Sequence, residues 1–260
     1  MNSLVKEVLE ILISSGFKAY IVGGYVRDYL LGIKSNDYDI CTNAKENDLK
    51  KLFNVIDSNY GSCKVEYRNH LFEITTFRKD LNYLNHRKPE QIIFVDNLGE
   101  DLVRRDFTIN TICMDKDNNI IDLLNARDDL QAKIIKVVGN TEEKMKEDAL
   151  RILRAIRFAT ILNFSLDSQL YESIKKYGYL VKNLSYYRRR QELDKIFTSN
   201  NIEYGIKLIK ELNLAKYLEI RTDFKITSLM GIWAQINNFN YPFTKEEKQM
   251  MNDYLNKTYL

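Results

Sequence analysis

At 260 residues and 45% hydrophobic content, the chain is long enough for a packed core and for two packed units. A charged fraction of 29% matches ordinary globular usage and excludes disorder as the default, while a net charge of +3 is too small to name a partner by itself. No apolar run approaches the ~20 residues that cross a bilayer, no signal-peptide pattern opens the chain, and three unspaced cysteines (Cys41, Cys63, Cys113) with two histidines exclude an ordinary zinc site. Residues 3–15, "SLVKEVLEILISS", carry apolar positions at helical spacing, with Ser3 as the expected N-cap and Gly16 as the stop. "KAYIVG" reads as a short buried strand, "YVRDYLLG" as a helix closed by Gly32, "DYDICT" as a second strand and "AKENDLKKLF" as a helix. Alternation on both arms of "KVEYRNHLFEITTFR" predicts a hairpin turning at Arg68-Asn69. Polar residues 79–91 read as a loop, "IIFVD" as a strand, and "LGEDLVRRDFTINTICMD" as a helix that gives way to the strand-like "NNIIDLL".

From Thr141 the period becomes helical throughout. "EEKMKEDALRILRAIRFATIL" reads as one helix, followed by "DSQLYESIKKYGYLV", "YYRRRQELDKIFTS", "IEYGIKLIKELNLAKYL" and "KEEKQMMNDYLNK". The expected fold class is therefore α+β, with a mixed-sheet unit over 1–138 followed by helices. Buried thiols point to a reducing, cytoplasmic setting. The arginine clusters Arg104-Arg105, Arg151/Arg154/Arg157 and Arg188-Arg189-Arg190 suit either a solvated face or nucleic acid.

The stretch "YIVGGYVRDYLLGIKSNDYDI" carries the chemistry. Asp37 and Asp39, one residue apart, share a face if both lie on a strand, and two such carboxylates repel unless a cation sits between them. Oxygen donors of this kind suit Mg²⁺. Gly23 and Gly24 stand between strand and helix, where backbone can approach a ligand closely and helix-end N–H groups favour phosphate. Arg27, one turn on, reaches an anion or pairs with Asp28. A third carboxylate, Glu73, sits between apolar Phe72 and Ile74 on a strand expected to neighbour the Asp strand. A plain turn and a surface Glu are the structural alternatives.

"RRDFTIN" offers Arg105 to a triphosphate, and Asp106 and Asn110 for hydrogen bonds to sugar or metal-side groups, or else caps a helix end. On a helix at about 100° per residue, Glu147, Arg151 and Arg154 form a stripe flanked by Asp148 and Arg157. Such a set makes either i,i+4 ion pairs or a charged face aimed at a partner.

Taken together, "VGGYVRDYLLG…DYDI", "EITTFR", "RRDFTINTI" and "EDALRILRAIRFA" resemble the class II tRNA nucleotidyltransferases, the CCA-adding enzymes that share head and neck with bacterial poly(A) polymerases. The resemblance runs over roughly residues 1–220 in unbroken order. It implies a polymerase-β-like nucleotidyltransferase head over 1–138, a helical neck over 139–220 and a short helical body remnant over 221–260. It also implies that Asp37 and Asp39 bind the catalytic metals, to which Glu73, read from its strand, would add a third catalytic acid. Glu147, Asp148 and Arg151 would read the base edges of CTP and ATP, Arg154 would serve the triphosphate, and Arg157 would position that site.

The implied reaction is attack of a tRNA 3′-hydroxyl on the nucleotide α-phosphate. "RKDLNYLNHRKPEQIIFV" resembles a loop that CC-only enzymes tend to lack, so CCA addition and A-only addition both stay open. "VIDSNYGSCKVEY" replaces the "GRRF"-type element usual in poly(A) polymerases. Where the family often has "DPFGG", this chain keeps Asp122 but continues with Leu123, Leu124, Asn125 and Ala126. It stops at Leu260, either as a piece of a longer protein or as a shortened enzyme, which puts the grip on tRNA in question. A non-catalytic RNA-binding module would need neither the D-x-D nor the ED-x-x-R set. The expected partners are tRNA, CTP and ATP, with no membrane; a homodimer is left open.

Overall fold

A computed structural model describes residues 2–84 and 88–258. Two units emerge: Met1–Asn82, Pro89–Ala132 and Lys136–Gly139 in the first, and Tyr83–Lys88, Lys133–Ile135 and Asn140–Leu260 in the second.

In the first unit, α1 (Ser3–Ser14) buries Val5, Val8, Leu9 and Leu12, one stripe at helical spacing. The cap is Asn2 rather than Ser3: its Oδ1 accepts from Leu4 N at 3.0 Å. β1 (Ala19–Val22), α2 (Gly24–Leu30), β2 (Asp39–Thr42) and α3 (Glu46–Leu52) follow. Then come β3 (Asn54–Asn59), β4 (Ser62–Tyr67) and β5 (His70–Thr76). Arg68 and Asn69, with φ of 48° and 62°, form the expected turn between β4 and β5. Strand β3 was not legible because its side chains are exposed or half-buried and carry little apolar alternation.

The predicted loop over 79–91 is largely sheet: β6 (Arg78–Leu84) and β7 (Lys88–Phe94) form a separate two-stranded sheet. Its polar composition hid it, and His86 lies outside the described residues. α4 (Leu98–Val103), β8 (Cys113–Met114), β9 (Ile120–Ile121) and α5 (Ala126–Gln131) complete the unit.

Seven strands pair in the order β3-β4-β5-β2-β1-β8-β9. Only β2 and β5 run parallel; every other neighbouring pair in this sheet is antiparallel. Val22, Cys41, Phe77, Leu98, Leu102 and Cys113 form a buried cluster that seats α4 on the sheet. All three cysteines are buried and unbridged, and burial pushes the Cys41 thiol well up.

The second unit is helical. β10 (Ile134–Ile135) pairs in parallel with β11 (Ser165–Leu166). Around them lie α6 (Thr141–Glu147), α7 (Leu150–Leu162), α8 (Ser168–Tyr177), α9 (Tyr186–Phe197) and α10 (Ile202–Glu211), then α11 (Ala215–Leu218), α12 (Leu229–Ile236) and α13 (Lys245–Thr258). The single helix expected across 142–162 is broken at Asp148. There the carboxylate accepts from Leu150 N at 2.9 Å, offering the backbone a local alternative to the helical ladder.

Trp233 of α12 is fully buried and donates Nε1–H to Asp194 at 2.6 Å, an anchor the sequence did not reveal. A mixed sheet followed by helices is the α+β class expected. Among the described residues no helix is long and apolar enough to cross a membrane.

Candidate active site

Parallel pairing of β2 with β5 sets Asp39 directly beside Glu73. Because Phe72 and Ile74 are buried, alternation turns Glu73 to the opposite, exposed face. Ser62 Oγ donates to Glu73 Oε1 at 2.7 Å and steadies it. Gly23, next to Asp39's strand partner Val22, has φ of 83°. A Cβ built there would lie 3.4 Å from Asp39 Oδ2, so bare backbone borders the carboxylate.

Asp39 and Glu73 line a cavity of about 320 Å³ together with Arg78, Arg104 and Arg105. Two acids organise the three guanidiniums. Asp101, with no exposed surface, accepts from Arg104 Nε at 2.8 Å, Arg105 Nη2 at 3.1 Å and Arg78 backbone N at 3.2 Å. Asp80 accepts from Arg78 Nε at 2.9 Å and lies 3.9 Å from Arg104 Nη1. Burial lowers the Arg104 pKa, and Asp101 acts against that. Arg105 Nε is buried and, among the described residues, has no hydrogen-bond partner. A cationic wall facing two carboxylates suits a polyanion carried with divalent cations.

Of the predicted residues, Arg105, Asp39 and Glu73 are thus brought together, with Gly23 at their edge. Asp37 is not on the strand: it lies exposed in the coil before β2, because pairing begins at Asp39. It borders a larger cavity of about 800 Å³, which Glu73 and Ser62 also line. Asp39 lines the smaller cavity and Asp37 the larger, with Glu73 and Ser62 lining both. Among the described residues no three His, Cys, Asp or Glu side chains converge as a ready-made metal cage.

Gly24 opens α2, and a Cβ on it would stand 3.6 Å from Arg27 Nη2. Arg27 itself is buried. It pairs with Asp28 at 2.7 Å and donates to Asn110 Oδ1 at 2.9 Å, while Asn110 Nδ2 donates to Asp106 Oδ1 at 3.1 Å. Arg27, Asp106 and Asn110 form a strut between α2 and the "RRDFTIN" turn. Arg78, Arg104, Asp80 and Asp101 were missed as site residues. Their signals were an R-x-D spacing on a strand and a D-x-x-R-R spacing on a helix, which puts acid and arginines on one face.

In the second unit, Glu147 Oε2 accepts from Arg151 Nη1 at 2.7 Å, and the same nitrogen donates to Lys144 O at 2.9 Å. The predicted single-helix stripe is corrected: Glu147 ends α6, Asp148 sits at the break, and Arg151, Arg154 and Arg157 ride on α7. Arg154 and Arg157 stand over the Phe158 ring at 5.2 and 4.1 Å. Arg157 also forms a buried pair with Glu192 at 2.6 Å. Arg189 and Arg190 are spent internally, on Leu184 O and Lys182 O and on Glu247.

The family model described as the poly(A) polymerase head domain matches residues 19–136. A second, described as a probable RNA and SrmB-binding site of polymerase A, matches residues 163–221. The CCA-adding enzyme of Staphylococcus haemolyticus is 41% identical over 216 residues, 82% of this chain and 54% of that enzyme. That of Lactobacillus helveticus is 44% identical over 212 residues, 80% of this chain and 53% of its own.

Among solved structures, the Bacillus stearothermophilus CCA-adding enzyme in complex with CTP matches with a TM-score of 0.78 at 31% identity, over 90% of this chain and 62% of that one. A tRNA nucleotidyltransferase complexed with a primer tRNA and an incoming ATP analog gives 0.68 at 26% identity, over 87% and 66%. The chain spans about half the length of the curated relatives it matches. Two successive family models and a consistent set of relatives place it: the chain belongs to the family of CCA-adding tRNA nucleotidyltransferases and poly(A) polymerases.

Proposed function

We propose that the chain adds CCA to the 3′ end of tRNA from CTP and ATP, without a nucleic-acid template. The observation that carries this reading is the cavity in which Asp39 and Glu73 face Arg78, Arg104 and Arg105. Relatives named CCA-adding enzymes, one of them solved with CTP, support it.

The carboxylates fit a hard divalent cation such as Mg²⁺. That ion keeps several waters and is held by one or two carboxylates plus substrate phosphates, so a complete protein cage is not required. Asp39 would hold it with Glu73, and Asp37 would add a donor from the coil. When bound, such a cation lowers the pKa of an attacking hydroxyl and neutralises triphosphate charge.

The chain's own residues do the rest by placement. Arg104 and Arg105 bind the triphosphate, Gly23 lets backbone come close to Asp39 and the nucleotide, and Ser62 orients Glu73. The tRNA 3′-hydroxyl attacks the α-phosphate and pyrophosphate leaves. Glu147, Asp148 and Arg151 select the base through hydrogen bonds to its edge, Arg154 serves the triphosphate, and Arg157 positions that site. Residues 1–138 act as the catalytic head, 139–220 as the selecting neck and 221–260 as a short body, in a cytoplasmic protein.

Product length tests this reading. Purified chain is incubated with Mg²⁺, CTP and ATP on tRNA lacking its CCA end, and the products are run on a sequencing gel. Three added nucleotides are expected. A single A added only to tRNA ending in CC would make it an A-adding enzyme, and a long tail a poly(A) polymerase. No incorporation by folded protein overturns the proposal.

A further inference from the structure

We infer that Asp101 is the positioning residue that fixes the arginine fork at the triphosphate end of the site. The inference rests on the nucleotidyl-transfer reading above and goes beyond it, since Asp101 belongs to none of the predicted site positions. Asp101 has no exposed surface, which is costly for an acid unless every lone pair is answered. Here both oxygens are. Oδ1 takes Arg104 Nε and the Arg78 backbone N–H, and Oδ2 takes Arg105 Nη2.

One carboxylate thus ties together the start of β6, the end of α4 and the turn that follows it. Helical spacing explains the grip: Arg104 and Arg105 stand three and four residues after Asp101. The bonds to Arg104 and Arg105 each restrict a long side chain before any ligand arrives, so less freedom is lost on binding. Arg105 supplies an independent pointer to that ligand. Its Nε is buried with no partner among the described residues, beside the cavity that Asp39 and Glu73 line. A buried donor of this kind is costly when left unmet, and a phosphate oxygen would meet it. The ligand chemistry is therefore a polyphosphate, and Asp101 acts through Arg104 and Arg105 without touching it.

The test measures binding of inorganic tripolyphosphate and of CTP, each with Mg²⁺, by calorimetry on the full chain. Asp101→Asn keeps the shape but turns one acceptor into a donor that opposes a guanidinium; affinity for tripolyphosphate should fall about tenfold or more. Asp101→Glu, which keeps the charge and shifts it by one methylene, should weaken binding less than Asp101→Asn does. In an Arg105→Gln background the Asp101→Asn step should cost much less than in the parent, an interaction that a purely structural role would not produce. If Asp101→Asn does not fold, Asp101→Glu decides alone, through a measurable loss of affinity with an unfolding midpoint near that of the parent.

Parent protein that binds tripolyphosphate, with both Asp101 variants folded and binding it equally well, overturns the inference and leaves the functional reading standing. Parent protein that binds neither tripolyphosphate nor CTP overturns both.

Discussion

Asp39 of β2 and Glu73 of β5 are direct partners in the only parallel pair of the seven-stranded sheet. Their side chains share one face and line one cavity because each strand carries its acid on the face opposite its apolar neighbours, and a one-residue slip of either strand would separate them. The sheet register therefore assembles the acidic half of the site, and Asp101 and Asp80 assemble the basic half.

Gly23 lies where that acidic half meets the backbone. With φ of 83° and ψ of −136°, it occupies a region that side chains rarely adopt. Gly23→Ala is expected to lower stability by about 1–3 kcal/mol and to press a methyl against Asp39. Urea unfolding together with nucleotide incorporation checks this; a variant of parental stability and activity would contradict it.

Arg151 is the most buried of the residues proposed to read the base, held by Glu147 and Lys144 O. Removing it as Arg151→Ala should leave tripolyphosphate binding unchanged while eroding the preference for CTP and ATP over UTP and GTP by about tenfold. Competition between labelled nucleotides at one tRNA end measures this directly. Unaltered selectivity would remove Arg151 from base reading.

Much of the site could be read in the sequence, for identifiable reasons. Glu73 was placed correctly because Phe72 and Ile74 fix its face by alternation, a local rule that the sheet obeys. Asp37 was misplaced because strand β2 starts only where it finds partners, at Asp39, and pairing is set by β1 and β5 far along the chain. The helix over 142–162 looked continuous because its period is unbroken. The competing hydrogen bond from Leu150 N–H to the Asp148 carboxylate ends it. Asp101 was passed over because an acid in a charged helix usually faces water. That this one is buried follows from packing α4 on Phe77 and Cys113, which no local pattern encodes.

The ion pair of Arg190 with Glu247, between α9 and α13, predicts a pH dependence. Hydrogen bonding from Arg190 holds the Glu247 carboxyl below its ordinary range. A depressed folded pKa contributes stability above the unfolded value, and that contribution is lost as pH falls through the folded one. Glu247→Gln should therefore cost about 1 kcal/mol near neutral pH and clearly less at about pH 3. Nearby Asp194 has the opposite sign: burial raises its pKa, so its ionisation weakens the fold as pH rises through the raised value. Urea titrations of parent and variant at both pH values, compared at each, isolate the Glu247 term. A gap that persists in acid would contradict it.

The most direct measurement is transfer of labelled AMP from ATP to a tRNA ending in CC, by parent and Asp39→Ala, with tRNA binding recorded alongside. Removing this carboxylate should cut incorporation by about a thousandfold or more while leaving tRNA affinity and the unfolding midpoint close to the parent's. Incorporation that survives in Asp39→Ala, at a rate near the parent's, would contradict the assignment of this cavity as the site of nucleotidyl transfer.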